Sequence, residues 1–244
     1  MNNSIDYKNF LILGGTSGIG FDVAKKLSLT SKVYVIGRND QKIKKYNSKN
    51  ITFLKHEFVD LDSSIKFFNS HLIDKKFDGA FVSVGAEKFK GLNSIKDRDI
   101  NNTFMPPIIS LLSVLKLAAS SKLINKNSSI VAMSSVSAIK SSIGMALYGS
   151  SRATIESLVK HSSSELANKK IRVNAIRAGA VKTEMHDRIT SKMKREQVEI
   201  YEKSHLLGFG EVEDVSEMVI YLLSNKSKWF TGSIITLDGG YLNC

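Results

Sequence analysis

Cysteine and proline are almost missing from this 244-residue chain: the single cysteine is Cys244, the last residue, and the two prolines are adjacent at 106 and 107. A lone thiol closes no internal disulfide, and no Cys/His spacing offers a zinc site, so neither a disulfide framework nor a metal is expected. So few prolines exclude proline-rich linkers. No apolar run reaches the roughly 18–20 residues of a membrane span. Residues 1–6 are polar and lack the basic-then-apolar pattern of a secretion signal. The expected setting is a reducing one, the cytoplasm, with no membrane partner.

What is present is ordinary for a globular protein, with 42% hydrophobic and 24% charged residues. Lysine and arginine outnumber the acids by 35 to 23, a net charge of +12. The lysines are scattered (Lys25, Lys42, Lys75, Lys140) and are not interleaved with aromatics. That pattern fits a solvated basic surface, so nucleic acid is not an expected partner.

Short apolar runs alternate with helical patterns along the whole length. Strands are expected at 10–13, 33–36, 51–54, 80–84, 130–133, 171–176 and 234–237. Helical spacing is expected at 21–29, 62–72 with Asp62 as N-cap, 108–120, 148–168 and 212–223. Continuous apolar strands between helices predict a doubly wound α/β fold, a seven-stranded parallel sheet with helices on both faces. Neither a composition shift nor a repeat divides residues 1–244, so one domain is expected. The charged, interrupted segment at about 182–208 follows the sixth strand, where a doubly wound sheet binds ligands, and is expected to form a substrate lid.

The chemistry-bearing motifs start at the first strand. Gly14, Gly18 and Gly20 form a G-x-x-x-G-x-G turn, with Thr16, Ser17 and Ile19 between them, leading straight into a helix. Glycines let backbone N–H groups approach a pyrophosphate at a helix N-terminus. Ser135 and Tyr148 stand thirteen residues apart, and Arg152 follows the tyrosine by one helical turn. Asp60-Leu61 follows the third strand, Gly85 the fourth, and Gly179 and Thr183 the sixth.

On these motifs the chain resembles the short-chain dehydrogenase/reductase family, in its 3-oxoacyl-reductase-like branch, over nearly its whole length. The resemblance implies a Rossmann fold, a nicotinamide cofactor held by the glycine turn, by Asp60 and Leu61 at the adenine, and by Gly85, Tyr148, Arg152 and Thr183. It implies catalysis by Ser135, Tyr148 and the residue after it by one turn, and a homo-oligomer, most often a tetramer. Two departures bear on chemistry. The family's lysine is Arg152, and the family's catalytic asparagine falls on Asn102 by identity or on Thr103 by apolar register.

A tyrosine is a poor base near neutral pH, and a cation one helical turn away lies on the same face. At ~4 Å and an effective dielectric of about 20, such a charge stabilises a phenolate by roughly 4 kcal/mol. Arginine supplies that charge and a hydrogen-bonding fork, although it cannot itself release a proton. At the end of the second strand, position 37 is glycine where an acid would select NAD, and Arg38 follows it. Arginine grips a 2′-phosphate bidentately, so NADP(H) is favoured over NAD(H).

The expected activity is interconversion of a carbonyl and a secondary alcohol on a small substrate. The alternative is a protein of the same fold with weak or lost catalysis, serving as a sensor or assembly partner. The lid's Lys182, Arg188, Lys192, Lys194 and Arg195 are read as a solvated face, and His56, His71, His161 and His205 as surface or capping residues.

Overall fold

A computed structural model describes residues 8–72, 74–86 and 88–243; the polar N-terminus and Cys244 lie outside them. The strands are β1 (Asn9–Leu13), β2 (Lys32–Gly37), β3 (Ile51–Lys55), β4 (Phe77–Val82), β5 (Ile124–Ser135), β6 (Arg172–Ala178) and β7 (Ile234–Leu237). They form one parallel sheet in the order β3-β2-β1-β4-β5-β6-β7. The helices are α1 (Gly18–Ser28), α2 (Gln41–Tyr46), α3 (Leu61–Leu72), α4 (Asp97–Asp99), α5 (Met105–Ala119), α6 (Ala146–Leu166), α7 (Glu184–Thr190), α8 (Arg195–Lys203) and α9 (Val212–Leu223).

The period of two along each strand divides the core. Leu11 and Leu13 of β1, Ala80 and Val82 of β4, and Ile130 and Ala132 of β5 face one layer, with Phe68 of α3, Leu111 of α5 and Ile155 of α6. Phe10 and Ile12, Phe81, Val131 and Met133 face the other, with Val23 of α1 and Val219 of α9. Because both faces are covered, every residue from Leu11 to Leu13 is fully buried, which explains unbroken apolar runs. Each such side chain contributes about 1.5–3 kcal/mol of burial.

Several boundaries differ from the sequence expectation for local reasons. Strand β5 begins at Ile124 rather than 130, because polar Asn125–Ser129 hide its apolar pattern, and its register against β4 shifts between Phe77 and Gly79. Helix α3 starts at Leu61, and its cap is Asp60, not Asp62: the Asp60 carboxylate accepts the Ser63 N–H at 2.7 Å. Before α5 the chain makes a π-helical turn, Ile100–Phe104. Pro106 and Pro107 have no N–H to give to the preceding turn, so the ordinary ladder cannot form there. The continuous helical stretch Asp97–Ala119 is long and apolar enough, by length and composition, to cross a membrane. In the fold its Leu111, Val114 and Ala118 are wholly buried against the sheet layer.

Strand order reverses between β1 and β4. The loops after β1, β2, β4, β5 and β6 all open at that edge, where doubly wound sheets bind ligands.

Candidate active site

The glycine turn is shaped by contacts that no side chain permits. Gly14 has φ 81°, and a β-carbon there would lie 2.8 Å from the backbone of Ser83 and Val84. A β-carbon on Gly20 would collide with the Gly14 carbonyl. The turn therefore presses against β4 and feeds the N-terminus of α1, whose first-turn N–H groups point out of the sheet. The same crowding explains position 37. A β-carbon on Gly37 would lie 2.6 Å from the Thr16 methyl, so the glycine turn itself occupies the place of an acid.

One cavity of about 1000 Å³ runs from this turn to the lid. Gly14, Thr16, Ser17, Gly18, Ile19, Arg38, Gly85, Asn102, Thr103, Ser135, Tyr148, Arg152 and Thr183 all line it. Asp60 and Leu61 do not; Phe58 and Val59 take that stretch of wall. The adenine expectation for Asp60 and Leu61 is thus corrected, since Asp60 is engaged as the α3 cap. Those Ser63 hydrogen bonds hold its carboxyl below the usual carboxylate range.

Tyr148, Arg152 and Glu156 lie at successive turns of one face of α6. Glu156 ties that face to the sheet: Arg177 of β6 donates to it from Nε at 2.8 Å and Nη2 at 2.6 Å, and Ser134 donates at 2.7 Å. Arg152 is only 4% exposed, yet it has no carboxylate partner among the described residues. Its Nη1 donates long hydrogen bonds to the carbonyls of Met133 at 3.2 Å and Val84 at 3.4 Å, and its buried Nε has no partner. The guanidinium carbon lies 4.8 Å from the Tyr148 ring centroid. A β-carbon on Gly85 would fall on the guanidinium. Ser135 is 8% exposed at the end of β5, and its Oγ accepts the Ser137 N–H at 3.2 Å.

In the π-helical turn Thr103 is 2% exposed, whereas Asn102 is exposed at the cavity surface. At the outer end Arg38 is 73% exposed and has Glu57 at 3.7 Å.

The lid holds residues that sequence reasoning passed over. Met185, His186, Ile189 and Tyr201 line the cavity. Burial, with the Tyr241 and Tyr148 phenols nearby, pushes the Tyr201 phenol up to about 12. His205, expected at the surface, is 2% exposed and is corrected to a core residue. Its Nδ1 bonds the Tyr201 carbonyl at 3.0 Å, and its Nε2 accepts the Ala180 N–H at 3.2 Å. His56 likewise is half-buried, stacked on Phe67 at 4.2 Å, and lines the cavity. Lys182 pairs with Glu211 at 2.6 Å and Arg195 with Glu199 at 2.9 Å, both at the surface. No spacing rule marks His186 or Tyr201, because their neighbours are assembled only by the fold.

A parallel seven-stranded sheet with a glycine turn at its switch point, and a serine, a tyrosine and a buried cation on one wall, defines a dinucleotide-dependent oxidoreductase. The chain belongs to the short-chain dehydrogenase/reductase family: residues 14–242 match the family model described as "Enoyl-(Acyl carrier protein) reductase". It is 30% identical over 239 residues, covering 96% of this chain and 97% of the relative, to "3-oxoacyl-[acyl-carrier-protein] reductase FabG" of Rickettsia prowazekii (strain Madrid E). It is 28% identical over 238 residues to "Carbonyl reductase family member 4" of Xenopus laevis, covering 94% of this chain and 95% of that one. Among solved structures, a short-chain dehydrogenase family protein from Francisella tularensis subsp. tularensis SCHU S4 superposes with TM-score 0.87 at 25% identity, covering 98% of this chain and all (100%) of that one. "ElxO with NADP Bound" superposes with TM-score 0.83 at 25% identity over the same shares. The chain is accordingly an oxidoreductase that interconverts a carbonyl and an alcohol with a nicotinamide dinucleotide, and the alternative of a retired binding protein is not favoured.

Proposed function

We propose that this protein reduces a small carbonyl compound with NADPH, using Tyr148 as proton donor, Ser135 as the hydroxyl that orients the substrate oxygen, and Arg152 as the charge beside the phenol. The observation that carries this reading is the buried, unpaired guanidinium of Arg152 lying against the Tyr148 ring in a cavity continuous with the glycine turn. A cation taken out of water without an anion is costly unless a ligand or a developing negative charge is its partner.

The residues fit a dinucleotide. The N–H groups of the glycine turn and of the start of α1 face the cavity for the pyrophosphate, with Thr16, Ser17, Gly18 and Ile19 along it and Thr183 opposite. Gly37 leaves no acid at the ribose, and Arg38 is free enough to meet a 2′-phosphate, which supports NADP(H) over NAD(H). When bound, the nicotinamide supplies hydride to the substrate carbon or takes it away. The Tyr148 hydroxyl then gives its proton to the substrate oxygen while Ser135 donates a hydrogen bond to that same oxygen. The phenolate left behind gains from the neighbouring guanidinium, and it regains a proton through water. Thr103, on the buried side of the π-helical turn, supports α6 from the position where the family carries asparagine, and Asn102 stays at the cavity surface.

Residues 182–208 act as the lid of a single catalytic domain. A tetramer in the cytoplasm remains the expected assembly and place. Ile155 and Val159, candidate contact residues on α6, are 1% and 0% exposed and belong to the protomer core, so association would use other surfaces. The test is loss of NADPH absorbance on mixing with ethyl acetoacetate. Turnover with NADPH at least about tenfold more efficient than with NADH upholds the reading, and equal efficiency or none overturns it.

A further inference from the structure

We propose that His186 is a substrate-binding residue, and that it selects carbonyl compounds carrying a second oxygen function beyond the reacting carbon. The inference rests on the cavity being the oxidoreductase site, and it goes beyond that reading by naming a specificity residue and a substrate class.

His186 sits in the first turn of α7, its own N–H donated to the Thr183 hydroxyl at 3.2 Å. Its ring stands edge-on to Phe209, with centroids 4.6 Å apart at 71°. Behind them, His205 stacks on Tyr241 at 4.4 Å and meets Phe209 at 5.4 Å. This aromatic backing leaves the His186 ring little room to turn. His205 spends both of its ring nitrogens on backbone groups, at Tyr201 and Ala180.

His186 does the opposite. Both of its ring nitrogens are buried, and neither has a hydrogen-bond partner. The one carboxylate near it, on exposed Asp187, is 3.7 Å from Nδ1, beyond hydrogen-bond distance. Buried polar atoms are otherwise nearly always paired, and an exception calls for an explanation. The ring lines the cavity with Met145, Tyr148, Met185, Ile189 and Tyr201. Three of those neighbours are apolar, so a hydrogen-bonding group on the ligand is the partner this imidazole lacks.

The chemistry of the pair selects the ligand class. A neutral imidazole offers one donor and one acceptor. The Tyr201 phenol, kept protonated by burial, offers a second donor on the same lid. An ester, acid, amide or hydroxyl oxygen satisfies them, whereas a hydrocarbon chain leaves them unpaired. Sites built to pair a polar group discriminate strongly against analogues that lack it.

The experiment measures binding, so it does not depend on turnover. Ethyl acetoacetate and methyl pentyl ketone have the same chain length and differ in the ester group. Each is titrated calorimetrically into the full chain in the presence of oxidised NADP, for the wild type, His186→Phe and His186→Asn. His186→Phe keeps an aromatic ring against Phe209, and His186→Asn keeps a donor and an acceptor. The wild type is expected to bind the ester at least about tenfold more tightly than the ketone. His186→Phe is expected to remove that preference without altering cofactor affinity, and His186→Asn to restore part of it. Equal binding of the two probes by the wild type, binding of neither, or a preference that survives His186→Phe overturns the inference. A chain that binds the ester selectively through His186 but never reduces it refutes the oxidoreductase reading and leaves this inference standing.

Discussion

The guanidinium of Arg152 fills the space in which a side chain at Gly85 would begin: a β-carbon there would fall on Nη2 and lie 3.0 Å from the guanidinium carbon. The loop after β4 and the catalytic face of α6 are therefore mutually shaped, and neither residue's form is explained without the other. Lysine has no planar fork to seat, whereas arginine needs both the Gly85 gap and the carbonyls of Val84 and Met133.

From that relationship, Gly85→Ala is expected to displace the guanidinium and lower kcat/KM by about tenfold, or 1.4 kcal/mol. The neighbour that must give is a side-chain end, so the melting temperature is expected to move little. Gly85→Ala with Arg152→Lys is expected to recover activity relative to Gly85→Ala alone, since the slimmer side chain clears the methyl group. Additive losses in this double-mutant cycle would separate the two residues.

At the other end of the cavity, the exposed Arg38 has one charged neighbour, Glu57 at 3.7 Å. Arg38→Ala is expected to weaken NADPH binding by about tenfold or more while leaving NADH nearly unchanged. Glu57→Gln is expected to tighten NADPH binding, because it removes a negative charge facing the 2′-phosphate and frees the arginine. Fluorescence titration of both cofactors reads both effects, and a shift shared equally by NADH would speak against the assignment.

Asp99 carries a pH prediction. Its carboxylate is fully buried, paired with Lys88 and Lys90 and accepting the Lys96 N–H at 3.0 Å. Hydrogen bonds from Lys88, then Lys90, hold its carboxyl far below the ordinary carboxylate range. A carboxyl with a depressed folded-state value stabilises above its unfolded value, about 3.9, and that stability is lost as pH falls below it. Asp99→Asn is therefore expected to melt below the wild type at neutral pH, with the gap closing in strong acid. A gap that stays constant with pH would show that the pair does not contribute through charge.

The sheet, its strand order and much of the site wall were legible in the sequence because their signals are local. A strand buried on both faces reads as an apolar run, and the glycine turn, Ser135, Tyr148 and Arg152 are set by spacing along the chain. What escaped depends on tertiary neighbours. Asp60 looks like a cofactor contact until α3 claims it as a cap. Thr103 and Asn102 are distinguished only by the π-helical turn that two prolines impose. His205 and His186 look alike as isolated histidines; the fold gives one two backbone partners and the other none.

Steady-state turnover of ethyl acetoacetate with NADPH by the wild type, Tyr148→Phe, Arg152→Met and Arg152→Lys tests the proposed chemistry at its centre. Tyr148→Phe is expected to abolish turnover, Arg152→Met to lower kcat by about a hundredfold or more, the equivalent of about 2.7 kcal/mol, and Arg152→Lys to retain or raise it. Undiminished turnover in Tyr148→Phe, or in Arg152→Met, would contradict a mechanism in which the tyrosine moves the proton and the buried arginine holds its charge.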